Sequence, residues 1–259
     1  MNEIRFFDSH HHLNDPILMG REESVWLEAV QAGVARGAVV GYDLESSRRA
    51  VEQAQRYPGL YAAVGVSPHA AAKAANGYIE ELRTLAAHPK VCAIGEAGLE
   101  YHYPSGPKEM QIERFCEQSR LANELGKILI VHLREADEDF LRILESDPPA
   151  AAILHCFTAS QTVMEKAAAL GYFISFSGIL TFKNAKEMQR IASLVPEENL
   201  LIETDAPYLA PIPYRGGTCE PKMLVETAKK LAELRGVTLE NIGALTFQNA
   251  CRAFSVDSF

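Results

Sequence analysis

Eight short, almost wholly apolar runs punctuate the chain: IRFFD, GAVVGY, LYAAVGV, VCAIG, ILIVH, AAILH, YFISF and LLIET. None alternates cleanly between polar and apolar residues, as expected of strands buried on both faces in a parallel sheet. Longer amphipathic stretches lie between them, among them ESVWLEAVQAGV, ESSRRAVEQAQRY, KEMQIERFCEQSRLANELG and SQTVMEKAAALG. Several of these close on glycine, a common helix stop. Strand and helix units alternating in this number predict one (β/α)8 TIM-like barrel of class α/β over residues 1–259. The segments PKMLVETAKKLAELRG and TLENIGALTFQNACRAF supply the last helices. No linker or low-complexity stretch divides the chain, and nothing repeats beyond the βα unit itself. A doubly wound sheet is the alternative, but no GxGxxG turn supports one.

Composition narrows the picture without changing it. The 259 residues are 47% hydrophobic and 23% charged, which suits a soluble globular protein with a large core. No apolar stretch approaches the roughly 18 residues needed to cross a bilayer. The opening MNEIRFFDSH carries charges inside its short apolar segment, so it reads as no signal peptide. Five cysteines are scattered without a CxxC pair, which disfavours a disulfide framework and makes a reducing cytoplasm the expected home. A net charge of -9 argues against a broad basic surface for duplex DNA. It does not exclude a nuclease, because bound divalent cations reverse the charge locally.

The polar residues that follow the apolar runs carry the chemistry. In a parallel barrel, functional side chains come from the carboxyl ends of the strands and the loops beyond them. The tract FFDSHHHLND places His10 and His12 on one face of an extended chain and turns His11 away to a packing or supporting role. His69 follows the third run, Glu96 the fourth and Asp205 the eighth, while His132 and His155 end the fifth and sixth. Five of the eight histidines thus fall at one end of the expected barrel. Four imidazoles (His10, His12, His132, His155) and two carboxylates (Glu96, Asp205) are enough to hold a pair of divalent ions, with Glu96 the natural bridge. His69, after Ser-Pro, reads equally as a contact for an anionic substrate. His88 reads as a surface residue.

These motifs resemble those of the TatD family of metal-dependent hydrolases and deoxyribonucleases, within the wider amidohydrolase-like barrels. DSHHHL is similar to the family's D-x-H-x-H-L, and AIGEAGLEYHY to A-I-G-E-x-G-L-D-Y-Y. ILIVHLREA stands where the family has P-V-I-I-H-x-R-D-A. LHCFTAS, FISFSGILTFKNA and LLIETDAPYLAP match almost residue for residue, and RGGTCEP stands for RG-x-x-N-E-P. The resemblance implies a TIM-like barrel with two divalent ions. One would be held by His10, His12, Glu96 and Asp205, the other by Glu96, His132 and His155. It also implies phosphodiester hydrolysis, often as a 3′-to-5′ exonuclease on single-stranded DNA. Departures fall at Ser67, Glu100, His102, Glu135, Thr218 and Cys219, all outside the expected ligand set and bearing on substrate preference.

The mechanism expected from this set uses a hydroxide shared by two ions (Zn, Mg or Mn) as nucleophile, with Asp205 orienting it and taking its proton. His69, Arg134 and Lys183 are candidates to hold the phosphate, and Tyr101, His102 and Tyr103 to meet a base of a single strand or nucleotide-like substrate at the mouth. For each of these, a solvated or packing role is the plain alternative. Cys156 reads as buried and inert. No GxSxG turn supports a serine nucleophile. Nothing in the sequence calls for a membrane or an obligate protein partner. The rival readings are a small-molecule hydrolase, acting on a phosphomonoester, amide, ester or lactone at the same site, and a non-catalytic binding barrel.

Overall fold

The computed structural model describes residues 4–257. The extreme ends of the expected barrel, residues 1–3 and 258–259, lie outside the described residues, and with them part of the segment read as lacking a leader. Eight strands run parallel and pair in chain order: β1 (Phe6–His11), β2 (Val34–Val40), β3 (Leu60–Val64), β4 (Val91–Glu100), β5 (Ile128–Arg134), β6 (Ala152–Leu154), β7 (Phe173–Phe176) and β8 (Leu200–Ile202). Helices α1 (Glu22–Gln31), α2 (Leu44–Arg56), α3 (Tyr78–Ala86), α4 (Lys108–Leu125), α5 (Asp137–Ser146), α6 (Gln161–Ala169), α7 (Lys186–Leu194) and α8 (Leu224–Arg235) follow the strands in turn, and α9 (Leu239–Ala253) comes last. This is the expected TIM-like barrel. No helix among the described residues is long and apolar enough to cross a membrane.

Local signals set the elements. Asp43 caps α2 by accepting the Ser46 N–H at 2.7 Å, while the Ser46 hydroxyl accepts the Asp43 N–H at 2.9 Å. This reciprocal pair satisfies donors that the first helical turn cannot. Gly126 and Gly236 end α4 and α8 in the left-handed region, at φ of 62° and 66°. Inside the barrel, Phe7, Val40, Ala63, Ile130, Ile153 and Leu201 form a core that Phe247 and Phe254 of the last helical segment close from below. Burying each such aromatic ring contributes roughly 1.5–3 kcal/mol. The bottom of the barrel is thus closed mainly by apolar side chains, with the buried Arg36 beside Phe247 and Cys251, while the histidine cluster stands at the opposite end.

Two strands depart from the reading of the sequence. β2 starts at Val34, ahead of GAVVGY, because Val34 and Arg36 already pair with Phe6 and Phe7 of β1, and the buried Arg36 reaches the backbone of Asp257. β4 does not stop at Gly95 but runs on to Glu100, so Glu96 stands inside the strand and not in the loop after it. Between Ile94 and Ala97 the register with β5 slips, since Ile94 pairs with Leu129 and Ala97 with Val131. The extra residue bends the strand and re-aims its side chains, as a bulge does. Glu96 stands in the bulge itself, and beyond it Gly98 and Glu100 share one face of the strand.

β1 and β8 share no ladder among the described residues. Side chains and strand-end backbone close the seam instead. Asp8 accepts the Thr204 N–H at 2.9 Å and its hydroxyl at 2.6 Å. The Ser9 hydroxyl donates to the Ile202 carbonyl at 3.0 Å. Above them the Asp205 N–H donates to the His10 carbonyl at 2.9 Å and the His12 N–H to that of Ala206 at 2.6 Å. These bonds bring residues from the two ends of the chain to the same rim.

Candidate metal centre

His10, His12, Glu96, His132, His155 and Asp205 converge at the carboxyl end of the barrel, on a cavity of about 890 Å³. Glu96 stands between two pairs of imidazoles and turns one oxygen to each. Its Oε2 lies 3.9 Å from His10 Nε2 and 3.8 Å from His12 Nε2. Its Oε1 lies 2.9 Å from His132 Nδ1 and 3.3 Å from His155 Nε2. Asp205 joins the first pair only, with Oδ1 3.7 Å from His10 Nε2 and 3.6 Å from His12 Nε2. The His10 and His155 rings stack with centroids 3.9 Å apart, which ties the two halves together.

The far nitrogens decide what the near ones can do. His12 Nδ1 faces the Val40 carbonyl at 2.8 Å; a carbonyl only accepts, so Nδ1 carries the proton and Nε2 the lone pair. His155 Nδ1 faces the Glu203 carboxylate at 3.3 Å, and His132 Nε2 faces Glu100 Oε2 at 3.1 Å. In three of the four imidazoles the outward nitrogen thus meets an acceptor, and the free lone pair points to the centre. His10 Nε2 and His12 Nε2 stand only 3.1 Å apart, a spacing that requires a proton or a cation between them. This is the arrangement of metal-ligating histidines backed by carboxylates and carbonyls. The donor set fits a divalent metal.

Electrostatics agree. Burial alone would raise the Glu96 carboxyl, but the charge of His155 and the bonds from His132 and His155 hold it well below its ordinary range. Burial pushes His10 well below the usual imidazole value, and His155 and His12 push it further. Burial acts the same way on His155, yet Glu96 and Glu203 outweigh it and hold its proton affinity well above the usual value. The cluster calls for positive charge at its centre, which a proton or a metal ion supplies.

The remaining candidates divide. Arg134, at the end of β5, lines the cavity with its guanidinium 4.9 Å from the Tyr103 ring. His69 lines it too, with Nδ1 on the Ser105 hydroxyl at 2.7 Å and Nε2 3.8 Å from Glu100 Oε2. His102 stands on the rim, paired through Nδ1 with Glu135 at 2.7 Å, and is not part of the cavity wall. Tyr101 is turned away altogether: its hydroxyl donates to Asp139 at 2.7 Å and the Lys108 ammonium sits 4.0 Å from its ring centroid. Tyr101 continues the alternation of β4, so the face that carries Glu100 inward sends it outward. Lys183 is exposed and also lies outside the wall. Cys156 does line the cavity, because β6 ends before it and alternation no longer applies. Burial and the carboxylates Asp205 and Glu203 push its thiol well above the ordinary value, so it is a poor nucleophile.

Glu203, Tyr42 and Tyr208 went unread in the sequence. Glu203 sits inside LLIETDAP, two residues before Asp205, and only the fold shows that it backs His155. Tyr42 and Tyr208 line the cavity beside His12, with ring centroids 5.5 and 6.1 Å from its imidazole. His11 packs on Trp26 of α1, rings 6.0 Å apart, as the alternation required.

A parallel barrel whose strand ends gather histidines around a shared carboxylate is the architecture of metal-dependent hydrolases. The family described as TatD related DNase matches residues 7–255. The chain is 39% identical over 253 residues to the uncharacterized metal-dependent hydrolase YabD of Bacillus subtilis, covering 97% of this chain and 99% of that one. It is 37% identical to the uncharacterized metal-dependent hydrolase TatD of Mycobacterium tuberculosis, over 88% of this chain and 89% of the relative. Among solved structures, the TatD homologue YjjV of Escherichia coli superposes with a TM-score of 0.92 at 29% identity, covering 98% of this chain and 99% of that one. The chain belongs to the TatD family of metal-dependent hydrolases.

Proposed function

We propose that the protein is a deoxyribonuclease that removes nucleotides from the 3′ end of single-stranded DNA with two divalent ions. The observation that carries this reading is Glu96, which offers one oxygen to each of two histidine pairs. His10, His12, Glu96 and Asp205 would hold one ion, and Glu96, His132 and His155 the other. Zn, Mn or Mg would serve such a set. Bound there, the ions acidify water and offset charge on the phosphoryl oxygens.

The chain's own groups do the rest. Asp205 stands at the cavity wall with Oδ1 toward His10 and His12, where it takes the proton of the attacking water and returns it to the leaving oxygen. Arg134 holds a non-bridging phosphate oxygen with paired donors, and His69 a second. Tyr103, Tyr42 and Tyr208 present rings to a base. The five free thiols support a reducing cytoplasm as its home.

The test is a timed digestion of a 5′-labelled single-stranded oligonucleotide by metal-stripped protein resupplied with Mg, Mn or Zn. A ladder shortening from the 3′ end, dependent on metal and missing with Glu96→Gln, supports the reading. An intact oligonucleotide under every metal, with two ions bound per chain, rejects it. The acidic cavity wall would then favour hydrolysis of a small ester, amide, lactone or phosphomonoester, to be found with a panel of such substrates.

A further inference from the structure

The cavity wall is unusual for a site that meets a polyanion. Its carboxylates are Glu96, Glu100, Glu135 and Asp205, and Arg134 is the one lysine or arginine among the described residues that line it. Glu100 accepts the His102 and Tyr103 N–H groups at 2.6 and 3.0 Å and faces His132 Nε2 at 3.1 Å. Arg134 is thus the one fixed cation of the wall that could pair with a phosphate. A longer strand would run on over a protein of net charge -9.

Size and aromatic placement point the same way. At about 890 Å³ the cavity is at the upper end of those that enclose a drug-sized ligand, room for the terminal nucleotide and its neighbour. The rings in its wall, Tyr42 and Tyr208 beside His12 and Tyr103 beside Arg134, lie on either side of the metal centre. Just beyond β4, Lys108 lies over the Tyr101 ring, and just ahead of α1, Arg21 pairs with Glu220 at 3.2 Å.

We infer that the site needs only a short single-stranded oligonucleotide of a few residues, gripped at one phosphate, and gains nothing from a long strand tracked along a basic groove. The inference rests on the phosphodiesterase reading above and narrows its substrate class. Affinity for a single strand falls with salt in proportion to the phosphates neutralised, with a logarithmic slope of about -0.7 for each. A site that grips one or two phosphates loses about 3-fold to 7-fold in affinity when salt rises fourfold, whereas one gripping six loses on the order of 300-fold.

The experiment uses the metal-loaded wild-type protein and unlabelled oligodeoxythymidylates of about three, eight and 30 nucleotides, at roughly 50 and 200 mM salt. Released mononucleotide is measured by chromatography and kcat/KM found for each length. The expected result is a kcat/KM that varies by less than about threefold with length and falls by less than about tenfold with salt. A long strand preferred by more than about tenfold, or a salt loss of about a hundredfold, overturns the inference and leaves the nuclease reading standing. If no length is cut although two ions are bound, the nuclease reading itself fails and takes this one with it.

Discussion

Asp8 of β1 and Thr204, just past β8, are joined twice, backbone N–H to Oδ1 at 2.9 Å and hydroxyl to Oδ2 at 2.6 Å. Asp8 is wholly buried, and that burial raises its carboxyl well above the ordinary value despite both bonds. The pair is the side-chain rivet of a seam that lacks a strand ladder. Thr204→Val removes the hydroxyl and leaves a buried carboxyl oxygen without its partner, at a cost of about 1–3 kcal/mol. Urea denaturation of the metal-stripped protein measures it. Because the rivet also sets the distance from His10 and His12 to Asp205, the same variant should bind metal more weakly. Unchanged stability would show that the seam is held elsewhere.

Glu203 tests the support behind the candidate metal ligands. Its Oε1 accepts the Cys156 N–H at 2.7 Å and faces His155 Nδ1 at 3.3 Å, and it is completely buried. Glu203→Gln keeps the shape but removes the negative charge behind His155. Affinity for one of the two expected ions should fall on the order of 10–100-fold. Competition with a metal-sensitive chelator reads this directly. Two ions retained with wild-type affinity would reduce Glu203 to a backbone prop.

Gly98 is required by its backbone and by its neighbour. Its φ is +155°, and a Cβ placed on it would stand 1.9 Å from the His132 carbonyl oxygen. It pairs with His132 across the ladder to β5, two residues before Glu100. Gly98→Ala should destabilise the chelator-treated protein by about 3 kcal/mol or more, since neither strand can move away without breaking the ladder. A denaturation midpoint equal to that of the wild type would contradict the packing described.

His11 gives a pH dependence with a definite sign. Burial and the neighbouring His12 lower its imidazole from 6.5 to about 3, and neither ring nitrogen has a partner among the described residues. The unfolded chain therefore binds a proton below 6.5 that the folded chain refuses, so stability is full above that value and is lost as pH falls. The loss amounts to about 1.4 kcal/mol per pH unit, or about 2 kcal/mol by about pH 5. His11→Phe keeps the stack on Trp26 and removes the proton site. In chelator, its stability should fall less steeply between about pH 6.5 and 5 than that of the wild type, by one proton. Identical slopes would place the acid sensitivity in other groups.

Much of this was legible in the sequence because the barrel imposes simple rules. Apolar runs without alternation gave the eight strands, and residues just beyond them gave His10, His12, His69, His132, His155 and Asp205 at one rim. Glu96 was expected just past the fourth strand but stands inside it, since no residue type announces a bulge and Gly95 reads as a strand end. Tyr101 was misplaced for the same reason: once β4 is known to reach Glu100, its outward direction follows. Glu203 was hidden because a carboxylate buried behind a histidine looks, in one dimension, like any other acidic residue near a turn. Lys183 was drawn in by its neighbours in TFKNA, and a long flexible side chain on a loop has no periodicity to fix it.

The seam between β1 and β8 also orders events in time. Glu96, His132 and His155 belong to the middle of the chain, so they are all present once β6 has been made. His10 and His12 are made at the start, yet they wait for Asp205, which comes after nearly four-fifths of the polypeptide. A growing chain would thus hold one group of candidate ligands well before the other is complete. A chain cut short before its eighth strand would keep Glu96, His132 and His155 but lack Asp205.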